Sequence, residues 1–321
     1  MLNIGGEAWL VIGTGADPRN SQLFDPKGRH YTFEELEAAA PDWIDAELKP
    51  DVLRSKSERA QRALETLAAV IRDAALDVLI VIGDDQNEHI LSNNRPGILI
   101  YHGPTIPNTT VPDGAALPPG YREAIPKYYE PDVDCDYPVA VELAEHIINY
   151  LMDAHFDLAS SDALPMARAE GHAFQFVHRR LIDGTLPIVP VMLNTYNAPT
   201  QPRVARCYQL GQRIREAVEA YPGPMRVGVL ASGGLTHFVI DEDFDRAVLD
   251  LLQAGDRDGI CALPEVAFQS GTSEIKNWIA TAAACEGFDF ELIDYVPGYR
   301  SRARTGTAMG FAKWTPVSGA L

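Results

Sequence analysis

The sequence predicts an α/β fold: a mixed or mostly parallel sheet flanked by helices, in a single domain covering residues 1–321. Three observations carry this. The runs at 77–83 (DVLIVIG) and 186–194 (LPIVPVMLN) are apolar almost throughout, as strands buried on both faces are. Between such runs lie stretches with apolar residues at helical spacing, so strand and helix alternate along the chain. The 321 residues, 46% apolar and 22% charged, suffice for one large α/β core.

Taken in order, Trp9-Leu-Val-Ile-Gly13 reads as a short strand leading into the glycine-rich loop 13–18. Residues 52–73 place Ala63, Leu64, Leu67, Val70 and Ile71 on one helical stripe. The clearest buried strand follows at 77–83 and ends in Asp84-Asp85-Gln86-Asn87-Glu88. Another strand at 97–101 gives way to a Pro/Gly-rich stretch, 102–121, that reads as a long surface loop. A helix is expected over 139–154, and a strand over 186–194 whose prolines favour a sheet edge or a strand end. Helices at 206–220, 244–254 and 274–286 surround a short strand at 226–231, and Asp241 to Asp245 supply acids for a helix start. No internal repeat or heptad run is present, which excludes a solenoid or coiled coil.

Composition narrows the function classes. A net charge of −18 lacks the clustered Lys and Arg that a phosphate backbone requires, so no nucleic-acid partner is expected. No stretch approaches eighteen uninterrupted apolar residues, and the first residues lack a basic start followed by an apolar run; the expectation is a cytoplasmic protein with no membrane partner. Cys135, Cys207, Cys261 and Cys285 form no CxxC pair, which points to buried thiols rather than a zinc knuckle or disulfide framework.

Candidate chemistry gathers where strands are expected to end: 13–18, 83–88, 171–178 and Gly233-Gly-Leu-Thr-His237. Open α/β sheets bind ligands outside the carboxyl ends of their strands, so these loops are expected to converge on one crevice. Gly13-Thr-Gly15 is only a partial dinucleotide fingerprint, with Pro18 at the third glycine position, and Ser270-Gly-Thr-Ser-Glu lacks the GxSxG context of a hydrolase elbow. Each candidate also has a structural reading. Asp84 and Asp85 suit capping of the loop after a strand, Glu274 suits the first turn of a helix capped by Ser273 or Thr272, and His172 and His178 are as readily structural as catalytic.

In order along the chain stand Gly-Asp-Asp-Gln-x-Glu, Gly-His-Ala-Phe-x-Phe-Val, Val-Pro-Val-Met-Leu-Asn-Thr-Tyr, Ser-Gly-Gly-Leu-Thr-His, Ser-Gly-Thr-Ser-Glu-Ile-Lys-Asn-Trp and Asp-Tyr-Val-Pro-Gly-Tyr-Arg. This colinear set resembles the class III extradiol ring-cleavage dioxygenases, the family that includes the catalytic β-subunit of protocatechuate 4,5-dioxygenase. The resemblance implies a non-haem Fe(II) enzyme that acts on a small catechol-like aromatic substrate with O2. It also implies a homo-oligomer or a chain paired with a partner subunit.

The family holds iron with two histidines and a glutamate. Glu274 matches the glutamate, while His237 matches the histidine that acts as acid and base on the substrate hydroxyl, a task suited to a near-neutral imidazole. His172 is the other catalytic candidate, and Tyr299 and Arg300 are candidates for substrate binding. The sequence departs from the family at two positions. Ala16 stands where the first histidine ligand is expected, and Gln86 where the second is. Asp17, Glu88, His89 and His172 are the donors that could replace them. A set of Asp17, Gln86 and Glu274 would be oxygen-rich and would shift preference towards Mn(II) or Mg(II), with no bound metal as the other outcome. The alternative function is a diverged member without oxygen chemistry: a metal-dependent C–C lyase or hydrolase, or a non-catalytic subunit of an active paralogue.

Overall fold

The computed structural model describes residues 4–111, 124–165 and 169–317. The chain enters through a helix, α1 (Gly6–Gly15), where the apolar run 9–13 predicts a strand. Trp9 and Ile12 are buried while Val11 between them is exposed. Burial at a spacing of three belongs to a helix, and a short apolar run does not by itself separate the two periods. Residues 13–15 are therefore the last turn of α1 rather than a loop. Gly13 lets that turn touch the chain near its other end, since a Cβ there would lie 1.9 Å from the Arg300 carbonyl oxygen.

A small hairpin, β1 (Leu23–Phe24) with β2 (His30–Tyr31), and two short helices, α2 (Phe33–Ala38) and α3 (Ile44–Glu47), follow. Then comes the expected long helix α4 (Pro50–Asp73). The middle of the chain supplies β3 (Val78–Asp84), β4 (Ile98–Tyr101), β5 (Thr105–Asn108), β6 (Cys135–Pro138), α5 (Val141–Asp153), β7 (Ala159–Ser161) and α6 (His172–Arg180). It continues through β8 (Ile188–Leu193), α7 (Val204–Glu219), β9 (Val227–Ser232), β10 (His237–Val239), α8 (Glu242–Ala254) and α9 (Arg257–Cys261). The last elements are α10 (Ile275–Ala284), β11 (Asp289–Tyr299) and β12 (Thr305–Thr315).

Five strands form the central sheet in the order β7-β4-β8-β3-β9. The strands β8, β3 and β9 run parallel, whereas β4 pairs antiparallel with β8 and parallel with β7. Alternate residues of β3 enter two cores. Val78, Ile80 and Ile82 pack with α5, α7 and α10, and Leu79 and Val81 pack with α1, α4 and α6. A strand covered on both faces must be apolar at every position, which is why 77–83 is so legible.

Three expectations change here. The strand 186–194 is central, not an edge. The Leu79 N–H donates to the Pro187 carbonyl and the Asp85 N–H to the Leu193 carbonyl, so the odd-numbered residues of β8 bond to β3. Pro190 thus turns its nitrogen to the β4 side, where strand pairing stops at Ile100 with Val191, and no ladder bond is lost. The stretch 102–121 contains β5, paired antiparallel with β6, while residues 112–123 lie outside the described ones. His172 opens a helix rather than sitting in a loop: Ala173, Phe174 and Val177 of α6 are buried on one side, which is helical spacing.

The segment from 289 to the end of the described chain is a long hairpin. Strands β11 and β12 pair from Asp289 with Thr315 to Tyr299 with Gly306, and β10 adds to the other side of β12. Among the described residues no helix is long and apolar enough to cross a membrane. Because β8, β3 and β9 are parallel, their carboxyl ends lie along one edge of the sheet, and the site is built there.

Candidate functional site

At the end of β3 two consecutive aspartates turn opposite ways, as strand geometry requires. Asp85 folds the following turn by accepting the backbone N–H groups of Asn87, Glu88, His89 and Ile90 at 2.7–3.2 Å. Asp84 points into the site and is 2% exposed. Its Oδ2 accepts from Gln86 Nε2 at 3.2 Å, and its buried Oδ1 has no hydrogen-bond partner. A buried carboxylate oxygen left without a donor is uncommon and needs a reason.

Facing it is His172, the first residue of α6. Glu88 accepts the backbone N–H of His172 at 2.9 Å through Oε1 and meets the ring Nδ1 at 2.8 Å through Oε2. A carboxylate here also faces the positive end of a helix. Gly171 makes room for it, since a Cβ at that position would lie 2.8 Å from Glu88 Oε2. The ring's other nitrogen, Nε2, is 3.7 Å from Asp84 Oδ1.

The third wall is the 3-10 turn Ser270–Glu274, which runs into α10. Ser273 pins the turn by donating to the Ser270 carbonyl at 2.6 Å and contacting Thr195 Oγ1, just after β8, at 3.0 Å. Glu274 accepts the Gly234 N–H at 2.7 Å, and Gln86 Nε2 reaches its other oxygen at 3.5 Å. Asp84, His172 and Glu274 each present one donor atom, all within 4.8 Å of one another.

His237, at the start of β10, lies beside this cluster. Its Nδ1 is 2.7 Å from the Leu235 carbonyl, which can only accept, so Nδ1 carries the hydrogen and Nε2 holds the lone pair. That lone pair faces Glu274 Oε2 at 3.4 Å. Two acceptors face each other stably when a proton or cation lies between them. Gly234 and Gly271 clasp the imidazole so closely that a Cβ at either would lie 2.5 Å from a His237 carbon atom. Gly234 and Gly271 thus leave the space that the ring occupies.

The electrostatics follow from burial and crowding. Burial, with the neighbouring Glu274 carboxylate, pushes the Asp84 carboxyl up to about 7, and burial also raises Glu274. Burial opposes a charge on His172, but Glu88 and Asp84 outweigh it and hold the imidazole well above its ordinary value. Burial likewise opposes ionisation of Glu88, and the His172 charge and hydrogen bonds bring its carboxyl down to about 2. Burial pushes His237 down to about 4, leaving it neutral near pH 7.

The structure brings Gln86, His172, His237 and Glu274 together. Asp17 is elsewhere engaged: its two oxygens accept from Arg300 Nε and Nη2, both at 2.7 Å, and from the Thr305 hydroxyl. Arg300 is buried in that pair with its guanidinium 4.8 Å from the Trp9 ring. Tyr299 donates to Glu242 at 2.9 Å and packs edge-on against Trp43. Asp84 was legible only as a loop cap. The signal that separates it from Asp85 is strand alternation, because the residue after the buried Gly83 must face the opposite side.

The family model for the catalytic LigB subunit of aromatic ring-opening dioxygenase matches residues 54–309. A 2,3-dihydroxyphenylpropionate/2,3-dihydroxicinnamic acid 1,2-dioxygenase of Comamonas testosteroni is 26% identical over 176 residues, 55% of this chain and 48% of that protein. A gallate dioxygenase of Pseudomonas putida is 34% identical over 121 residues, 34% of each chain. The chain thus matches half or less of the length of these relatives. An uncharacterized protein of Escherichia coli K12, of known structure, aligns over 80% of this chain and 92% of its own with 12% identity and a TM-score of 0.49.

Proposed function

Because the chain belongs to the family of the catalytic LigB subunit of aromatic ring-opening dioxygenase, the class III extradiol group that its motifs resemble, we propose that it opens the ring of a small catechol-like aromatic compound with O2. Both atoms of dioxygen enter the product. The observation that carries this is the imidazole of His237, its Nδ1 held by the Leu235 carbonyl and its Nε2 3.4 Å from Glu274, beside three side chains whose donor atoms could hold a metal ion.

The donor set suits a divalent cation. It contains an unpartnered buried oxygen on Asp84, a second carboxylate at Glu274 and an imidazole at His172. Fe(II) held at Glu274 would supply a Lewis acid for two adjacent ring oxygens and an electron donor for dioxygen. His237 Nε2 takes the proton of a ring hydroxyl, and the Leu235 carbonyl fixes the tautomer and steadies the imidazolium that results. The Gln86 amide NH2 bridges the Asp84 and Glu274 carboxylates at 3.2 and 3.5 Å.

A second reading, a metal-dependent C–C lyase or hydrolase without oxygen chemistry, draws its support from Ala16 and Gln86 at the expected histidine positions. Oxygen uptake decides between them. The protein, loaded anaerobically with Fe(II), is mixed with protocatechuate, gallate and 2,3-dihydroxyphenylpropionate, and oxygen and ring-fission chromophore are followed together. One O2 consumed per diol, lost in Glu274→Ala, is the expected result. Metal-loaded protein that consumes no oxygen with any vicinal diol sinks the dioxygenase reading.

A further inference from the structure

The resemblance leaves the metal with a glutamate and no histidine at either expected position, and the structure offers a different imidazole. We propose that the metal ion is held by Asp84, His172 and Glu274, with Glu88 as the residue that orients the imidazole. The inference rests on the metal dependence of the proposed function and concerns only which atoms bind.

Two observations point to it, and two rules of metal coordination agree with them. Asp84 Oδ1 is a buried oxygen without a hydrogen-bond partner, aimed at the cluster. His172 gives Nδ1 to the Glu88 carboxylate at 2.8 Å, which turns Nε2 inward, 3.7 Å from that oxygen. A carboxylate bonded to the far nitrogen is the usual support of a metal-bound histidine. Donors about 2.1 Å from one ion lie about 3.0–3.4 Å from each other; Asp84 Oδ1 and His172 Nε2, 3.7 Å apart, are within a few tenths of an ångström of that spacing, and the three donor atoms, all within 4.8 Å, close on a cation by at most about 1.4 Å.

The other candidates are occupied. Gln86 faces two carboxylate oxygens at 3.2 and 3.5 Å, a setting that turns its NH2 end to the cluster and makes it a donor rather than a ligand. Both oxygens of Asp17 accept from Arg300. His237 lies beside the three-residue group, its Nε2 3.4 Å from Glu274 Oε2, and the proposal keeps that nitrogen as the base rather than as a ligand.

One imidazole and two carboxylates make a harder, more negative site than two imidazoles and one carboxylate. It shifts preference towards hard cations such as Mn(II) relative to a two-histidine site.

Mn(II) is the probe. The full chain is titrated and free metal is counted by electron paramagnetic resonance, and pulsed spectra of the bound ion are read for imidazole nitrogen. One tightly bound ion with one imidazole is expected. His172→Ala should erase the nitrogen signal and weaken binding at least a hundredfold. Asp84→Asn, nearly isosteric in its buried place, should weaken binding comparably. Glu88→Gln should weaken it about 10–100-fold and keep the nitrogen signal. His237→Ala should keep the nitrogen signal and leave Mn(II) affinity within a few-fold of the parent, and circular dichroism verifies that each variant is folded.

Unchanged Mn(II) affinity in His172→Ala, or a nitrogen signal that disappears with His237 instead, would overturn the proposal. Failure of the activity reading looks different. Protein that binds one ion with the His172 signature yet takes up no oxygen with any diol keeps the ligand set and loses the dioxygenase.

Discussion

His237 is where a single residue bears most of the chemistry. Burial keeps it neutral near pH 7, and Leu235 fixes its tautomer, so its Nε2 is a base before any substrate arrives. His237→Gln keeps a polar group between Gly234 and Gly271 but removes the base. The expected outcome is a kcat lower by about 10²–10⁴ with oxygen uptake still coupled to metal, and Mn(II) affinity within a few-fold of the parent. Equal losses of kcat and of metal binding would make His237 a ligand instead. The glycine pair before His237 made it legible as a sequence. Asp84 was not, because an Asp-Asp pair after a strand reads as capping, and only the strand's alternation assigns capping to Asp85 and the site to Asp84.

Elements place these residues, and α8 shows how. Asp245, in its first turn and fully buried, accepts the Thr236 N–H at 2.9 Å, the Thr236 hydroxyl at 2.7 Å and the Tyr295 hydroxyl at 2.7 Å. One carboxyl therefore ties α8 and β11 to the loop that ends in His237. Burial pushes that carboxyl up to about 7 from an ordinary 3.8. The folded protein then holds a proton that the unfolded chain has already released. Its stabilising contribution is fully present below about pH 4, declines as pH rises to about 7, and stays flat above. Asp245→Asn mimics the protonated acid, and the two hydroxyls can rotate to suit it. Urea melts at pH 4.5, 6 and 8 should show the decline in the parent and a flatter profile in the variant; parallel profiles would remove Asp245 as the cause. The acids at 241–245 were legible as a helix start, and Asp241 does cap α8 through the Phe244 N–H. The inward role of Asp245 was not legible, since Tyr295 comes from fifty residues further along the chain and the turn that brings Thr236, nine residues before it, back onto α8 has no local signature. For the same reason α1 and α6 were misread, one as a strand and one as a loop. Their buried faces are defined by β11–β12 and the sheet, which a local window does not contain.

Across the whole molecule the proposed centre acts as a cross-link. Asp84 leaves the central strand β3, His172 begins α6 on one side of the sheet, and Glu274 leads into α10 on the other. In the absence of a cation the two carboxylates oppose each other in a chain whose net charge is already −18. A divalent ion that binds only the folded form stabilises it by about 2.7 kcal/mol at a hundredfold excess over Kd. For a chain of this size that raises Tm by roughly 5 °C. The expected outcome is a melting curve that rises with Mn(II) to this extent and returns with a chelator, while Glu274→Ala melts at one temperature with or without metal. A strongly acidic surface also collects cations loosely, and that binding responds to ionic strength where a buried site does so much less. The decisive comparison is therefore made in 0.15 M salt: a shift that survives there in the parent and vanishes in Glu274→Ala belongs to the site, whereas an equal shift in both proteins belongs to the surface and leaves the cluster without a metal.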